Sequence, residues 1–224
     1  MKELEMVVGP RVPQELLKQE RKRFLLPTIL LGGAVLLLLI SIFLPYWSLT
    51  LQAPQYPGGL VINLYVNHVT GDIHEIDGLN HYIGMRSMED AATIERTLSI
   101  FMIIGIGLLA VAAIYIHSPV AVFFSLPAFL FPLIFLGDLY FWLWNFGTKL
   151  DPRAPLSSSV KPFVPPLLGE GNVGQFKTIA SWDIGLIMAI LASILIIAGL
   201  YFHRKAYKPL LEAHFKSKNQ DNNA

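Results

Sequence analysis

The sequence predicts a membrane fold that is mainly α: four transmembrane helices with a small outward-facing cap containing a β-hairpin and a proline-rich loop. Three observations predict it. Apolar residues make up 54% of the 224, charged residues only 15%, and the apolar ones are gathered into four long runs. Lys and Arg lie outside those runs and are concentrated in the two tails. The two long connections between runs carry strand, turn and proline patterns of their own.

A hydrocarbon core of about 30 Å takes about 20 helical residues to cross. Residues 24–44, "FLLPTILLGGAVLLLLISIFL", 98–116, "LSIFMIIGIGLLAVAAIYI", 120–144, and 184–202, "IGLIMAILASILIIAGLYF", all reach that length. The first run lies behind a 23-residue polar tail and has no small-x-small cleavage site, so it reads as a span rather than a leader. The mean hydropathy of +0.53 agrees with this class. A net charge of +1 gives no basic surface for nucleic acid. Cysteine is absent, which removes disulfides, thiolate metal sites, covalently attached haem and thiol catalysis.

Orientation follows from the cations. The tails, residues 1–23 and 203–224, hold eleven Lys and Arg, with "RKR" and "HRK" abutting spans one and four; the two long loops hold six. Both termini are therefore expected in the cytoplasm, with loops 45–97 and 145–183 outside and the short turn 117–119 inside. Tyr46, Trp47, Trp142, Trp144 and Trp182 at the outer ends of the spans form an aromatic belt consistent with that orientation.

In loop one, "LVINLYVNHV" and "TGDIHEI" are rich in β-branched residues and separated by the turn signal Thr70-Gly71-Asp72. They predict a hairpin of residues 60–68 against 73–76. "QAPQYPGG" ahead of it reads as an extended arm, and "LNHYIGMRSMEDAATIERTL" as a helix running into span two. Loop two has five prolines between Asp151 and Pro166, and an extended backbone of that kind loses little entropy when it lies against a neighbour. It is expected to drape over the hairpin, so that the two loops make one cap. The alternative is that it clasps a partner protein.

Candidate chemistry is sparse. On a helix starting at Leu79, His81, Met85 and Met88 fall at i, i+4 and i+7 on one face. Imidazole with two thioethers is a soft donor set suited to Cu(I), and His74 in the adjoining hairpin adds a nitrogen. The competing reading is a packed Met stripe, with a hydrogen-bonded Asn80/His81 pair fixing the cap on the membrane. Asp138 is the only ionisable residue inside a span. Such an acid costs about 2.5–3.5 kcal/mol to insert at mid-helix, so it reads either as an anchor accepting bonds from the cap or as a proton or cation handle. Asp183 at the start of span four suits the positive end of a helix dipole. His117 and His203 are the only histidines near span ends and read as interface residues rather than haem ligands. No hydrolase elbow, phosphate loop or HExxH pair occurs, so the chain is read as a non-enzyme.

"LPYWSLTLQAPQYPGGL" (44–60), "IDGLNHYIGM" (76–85), "GDLYFWLW" (137–144), "LDP" (150–152) and "PPLLG" (165–169) together resemble the NosB-like family. These are small four-span bacterial membrane proteins encoded in nitrous oxide reductase clusters of the atypical kind. "APQYP" and "GLNHYIGM" are the most specific parts. The resemblance implies an accessory role in maturation, copper supply or electron delivery to a periplasmic copper reductase. The partners it implies are that reductase, a copper chaperone or the ABC transporter of the same cluster. Carried onto this chain, the positions it marks include Pro54, Pro57, Asn80, His81, Tyr82, Met85, Asp138, Asp151 and Pro152. The family often has Gly-His-Asn before the Leu-Asp-Pro, whereas this chain reads "FGTKLDP", and Thr148 cannot replace a histidine ligand.

Three classes of function are thus in play: a copper-respiration accessory protein, a metal-free structural subunit of a membrane respiratory complex, and a small transporter component using Asp138.

Overall fold

The computed structural model describes residue 8, residues 14–173 and residues 176–221. Lys2 and Arg11, counted above toward the N-terminal tail, lie outside these residues. The helices are α1 (Gln14–Gln19), α2 (Arg21–Ser41), α3 (Ile73–Ile83), α4 (Thr93–Tyr115), α5 (Ala121–Thr148) and α6 (Ile184–Asp221). The strands are β1 (Trp47–Ala53), β2 (Tyr56–Leu64), β3 (Val69–Gly71), β4 (Gly169–Val173) and β5 (Phe176–Trp182). Four helices are long and apolar enough to cross a membrane, over Arg21–Ser41, Thr93–Tyr115, Ala121–Thr148 and Ile184–Ala213. The chain is a multi-pass membrane protein of mainly α fold with a small antiparallel sheet.

The chain divides into two compact units. The helical unit comprises Met1–Leu39, Ile103–Phe131 and Ala189–Ala224; the sheet unit comprises Ile40–Met102 and Pro132–Met188.

In the helical unit, small residues let helices approach closely. Ala34 of α2, Ala110 and Ala113 of α4, Ala128 of α5 and Ala189 and Ala192 of α6 have no exposed surface. Apolar side chains gain little by leaving lipid, so close backbone packing and interhelical hydrogen bonds carry such contacts. The Ser193 hydroxyl supplies one, donating to the Phe129 carbonyl at 2.8 Å. Just past the end of α4, His117 stacks on Tyr207 of α6 with ring centroids 3.9 Å apart, and His203 lies 5.8 Å from His117. His203 is buried. The two histidines, expected at the membrane interface, form one aromatic cluster with Tyr207.

The sheet unit holds one five-stranded antiparallel sheet in the order β3-β2-β1-β5-β4. Burial alternates along β1, with Trp47, Leu49, Leu51 and Ala53 buried and Gln52 exposed, as a strand with one covered face requires. That face packs with Leu60, Ile62 and Ala180 against Ile76 of α3 and Leu139 and Leu143 of α5. Each fully buried Leu or Ile there contributes about 1.5–3 kcal/mol.

Three expectations are corrected. The hairpin of 60–68 against 73–76 does not form. Instead, β2 pairs with β1 across the two-residue turn Pro54-Gln55, and 73–76 is the first turn of α3. The helical spacing of the buried residues Ile76, Asn80 and Ile83 outweighs the β-branched composition of that stretch. "QAPQYPGG" is a turn and the start of β2, not a free arm. Pro57 falls where the β1–β2 register shifts between Leu51 and Ala53, a place where a ladder N–H can be missing at little cost. The helix expected from Leu79 into span two stops at Ile83. A short 3-10 turn at Met88–Asp90 follows before α4 begins.

The second long loop also contributes strands. β5 runs antiparallel to β1 from Trp47↔Trp182 to Gln52↔Lys177, so the two loops share one sheet.

Candidate functional site

The segments singled out in the sequence meet in the sheet unit, around the end of α3. α3 terminates because Gly84 adopts a left-handed conformation, φ +82°, with its N–H directed back at the Asn80 and His81 carbonyls. A Cβ at Gly84 would sit 2.7 Å from the Asp151 carbonyl oxygen and 2.8 Å from its nitrogen. The proline-rich loop crosses at that point: the Asp151 N–H donates to the Gly84 carbonyl at 2.8 Å, and the Leu156 N–H to the Tyr82 carbonyl at 2.9 Å. "GLNHYIGM" and "LDP", more than sixty residues apart in sequence, are thus joined backbone to backbone.

Asp77 fastens the chain after Gly84. Its carboxylate accepts from the Ser87 hydroxyl, the Met88 N–H at 2.8 Å and the Asn80 amide at 3.3 Å. Asn80 is buried, and its partner is Asp77 rather than His81, so the expected Asn80/His81 pair does not form. Arg86 leaves this segment toward α5, donating to Asn145 Oδ1 at 2.8 Å and lying 4.8 Å from the Phe146 ring centroid. A second crossing of the proline loop is equally close. The Phe163 N–H donates to the Gly147 carbonyl at 3.0 Å, and a Cβ at Gly147 would lie 2.0 Å from the Phe163 oxygen.

The remaining motif segments hold the sheet. Trp47 Nε1 donates to the Leu167 carbonyl at 2.8 Å, linking "LPYW" with "PPLLG". Tyr46 has no exposed surface, and its hydroxyl hydrogen-bonds Ser41 Oγ at 2.7 Å. Burial pushes the Tyr46 phenol up to about 12, and the Ser41 bond pulls only weakly the other way. Its carbonyl accepts from the Asp183 N–H at 3.0 Å, and the Pro45 carbonyl from the Gly185 N–H at 2.8 Å, so this turn also seats the start of α6. Asp151 Oδ1 caps its own turn by accepting from the Arg153 N–H at 2.9 Å, and the Pro152 carbonyl accepts from the Ser157 hydroxyl at 2.8 Å.

The four residues proposed as copper ligands do not share one helical face. His74 and His81 lie on α3 two helical turns apart, a rise of about 10 Å, and both are exposed. Met85 lies beyond the helix end, its N–H donating to the Asn80 carbonyl. Met88 packs against the sheet core. The face at i, i+4 and i+7 requires an uninterrupted helix, and the left-handed Gly84 interrupts it. Among the described residues no group of three His, Cys, Asp or Glu is placed to hold a metal.

Asp138 also departs from expectation. It is half-buried in α5 and, among the described residues, accepts no hydrogen bond from either long loop; its neighbours are Trp142 one turn on and the Glu95 carboxylate in the first turn of α4.

Sequence reasoning missed Asp77, Ser87, Arg86 and Asn145. The available signal was Asp77 itself, an acid three residues before a buried-face Asn on a short helix. The surface left above this hydrogen-bonded framework carries His81, Tyr82, Arg86 and Leu156, with Tyr82 55% and Leu156 45% exposed. Arg86 makes no ion pair among the described residues, so the surface presents a cation, an imidazole, a phenol and an apolar side chain. Aromatic and Arg side chains of this kind are enriched at protein interfaces.

No protein-family model, no curated protein and no solved structure matches this chain.

Proposed function

We propose that the protein is a non-catalytic accessory protein of copper-dependent nitrous oxide respiration, embedded in the bacterial cytoplasmic membrane. In this reading both termini are cytoplasmic, and the sheet unit faces the periplasm. There it docks the reductase or one of its maturation factors, the copper chaperone or the ABC transporter of the cluster. The reading rests on the sequence resemblance. The observation that supports it is that the resembling segments interlock, Gly84 with Asp151 and Trp47 with Leu167, into a platform whose open side bears Tyr82 and Arg86. Docking is preferred over copper passage because His74, His81, Met85 and Met88 do not share one helical face.

Deletion of the gene tests this reading. Nitrous oxide reduction should fall sharply, return with the wild-type gene, and return poorly with a Tyr82→Ala/Arg86→Ala variant that reaches the membrane in normal amount. Undiminished nitrous oxide reduction in the deletion strain would contradict it.

A second reading, a metal-free structural subunit of another respiratory complex, draws on the same exposed platform. It predicts normal nitrous oxide reduction in the deletion strain together with loss of a different respiratory activity.

A further inference from the structure

Two basic stretches 180 residues apart are neighbours in the helical unit. α2 opens with Arg21-Lys22-Arg23, and α6 carries Arg204, Lys205 and Lys208. The Arg23 guanidinium donates to the Lys205 carbonyl at 3.1 Å. Next to this bond, Phe24 meets Tyr207 edge-on at 5.3 Å, with Ala206 and Leu210 packed alongside. These contacts hold the two stretches at one level.

The cations there are not equivalent. Arg23 is paired with Glu20 at 2.6 Å and Lys208 with Glu212 at 3.6 Å. Arg21, Lys22, Arg204 and Lys205 are exposed, and none is in an ion pair among the described residues. Directly beyond the cations, each helix turns apolar and exposed: Leu25 (43%) and Ile29 (59%) on α2, and Tyr201 (63%), Ile197 (55%) and Ile194 (54%) on α6.

A phosphate-sized anion is thus offered several cations at the end of two apolar helices, and an acyl chain is offered the helices themselves. A soluble phosphate would use the first feature only. We propose that Arg21, Lys22, Arg204 and Lys205 form a binding site for the headgroup phosphate of an anionic phospholipid, whose acyl chains lie along the exposed apolar residues of α2 and α6.

Each Lys or Arg near an anionic lipid surface contributes about 1 kcal/mol, equivalent to about fivefold in affinity. The test uses the full-length protein in mild detergent. Retention of phosphatidylglycerol is compared with retention of phosphatidylcholine of the same acyl chains by native mass spectrometry, with inorganic pyrophosphate as competitor. Wild type should retain phosphatidylglycerol in preference to phosphatidylcholine, with a preference that shrinks as salt rises. Lys22→Gln/Arg204→Gln should weaken retention of the anionic lipid by about 25-fold, and the fourfold Gln variant should abolish the preference. Equal retention of the two lipids by wild type would overturn the proposal without recourse to any variant. So would an unchanged preference in the double variant. Complete displacement of the lipid by millimolar pyrophosphate would assign the cations to a soluble phosphate compound instead.

Discussion

The sheet unit and the helical unit are held together by different means. In the sheet unit, backbone and side-chain hydrogen bonds join residues far apart in sequence, and two glycines permit contacts that no side chain could allow. In the helical unit, buried alanines and a few hydroxyl bonds to the helix backbone do that work. The first arrangement is specific and brittle, because one substitution removes a contact that nothing replaces. The second is tolerant, because lipid is almost as good a neighbour for an apolar side chain as another helix. A surface that must present a fixed set of side chains to a partner belongs on the brittle kind, and Tyr82 and Arg86 are found there.

Substitutions can break this comparison or sharpen it. The largest effect is expected for Gly84→Val. A β-branched residue at φ +82° is strained, and its Cβ overlaps the Asp151 backbone. Together these cost about 3 kcal/mol or more. Thermal unfolding in detergent should show a marked loss of stability, and hydrogen exchange should place it at residues 77–90 and 147–168 while the ends of α2 and α6 stay protected. Next is Asp77→Ala, which strands the Ser87 hydroxyl, the Met88 N–H and the Asn80 amide, at about 2 kcal/mol.

Tyr46 gives the sheet unit a pH signature. Its phenol ionises near 12 in the fold and near 10 when unfolded. Below pH 10 both states keep the proton and stability is unaffected. Between pH 10 and 12 the unfolded chain loses its proton first, so stability falls as pH rises, and Tyr46→Phe should lessen that fall. Ultraviolet titration of the phenols alongside unfolding at each pH checks both halves. The smallest effect is expected in the helical unit. Ser193→Ala removes the bond to the Phe129 carbonyl and should cost about 0.6 kcal/mol. A loss from Ser193→Ala as large as that from Gly84→Val would erase the contrast between the units.

The same contrast governs how much could be read in advance. The spans were legible because a run of about 20 apolar residues has few alternatives. Their ends were not, since α5 continues to Thr148 and α6 to Asp221 once the backbone hydrogen-bond ladder is established. The sheet was only partly legible. "QAPQYPGG" was read as an arm, although Pro54-Gln55 lies between two strands of suitable composition and is a hairpin turn. The strand β5, "FKTIASW", alternates clearly but merges into the apolar start of α6, and β4, "GEGNV", has little strand propensity at all. At the site, "GLNHYIGM" is distinctive in sequence, but the break in its helix is not legible there. The i, i+4, i+7 pattern of His81, Met85 and Met88 presumes a helix, and Gly84 turns the chain left-handed between the first and second of them. The pairing of Gly84 with Asp151 leaves no mark in local sequence, because it depends on where a loop from another part of the chain passes.

The most direct test of the central claim is affinity purification of the full-length protein from native membranes during nitrous oxide respiration. Wild type is compared with the Tyr82→Ala/Arg86→Ala variant, and copper is measured in both. The account predicts that wild type brings down the copper reductase or one of its maturation factors, that the variant does not despite an unchanged unfolding temperature, and that neither holds copper in stoichiometric amount. Equal recovery of the partner by both forms, or one copper per chain lost on His81→Ala, would contradict it.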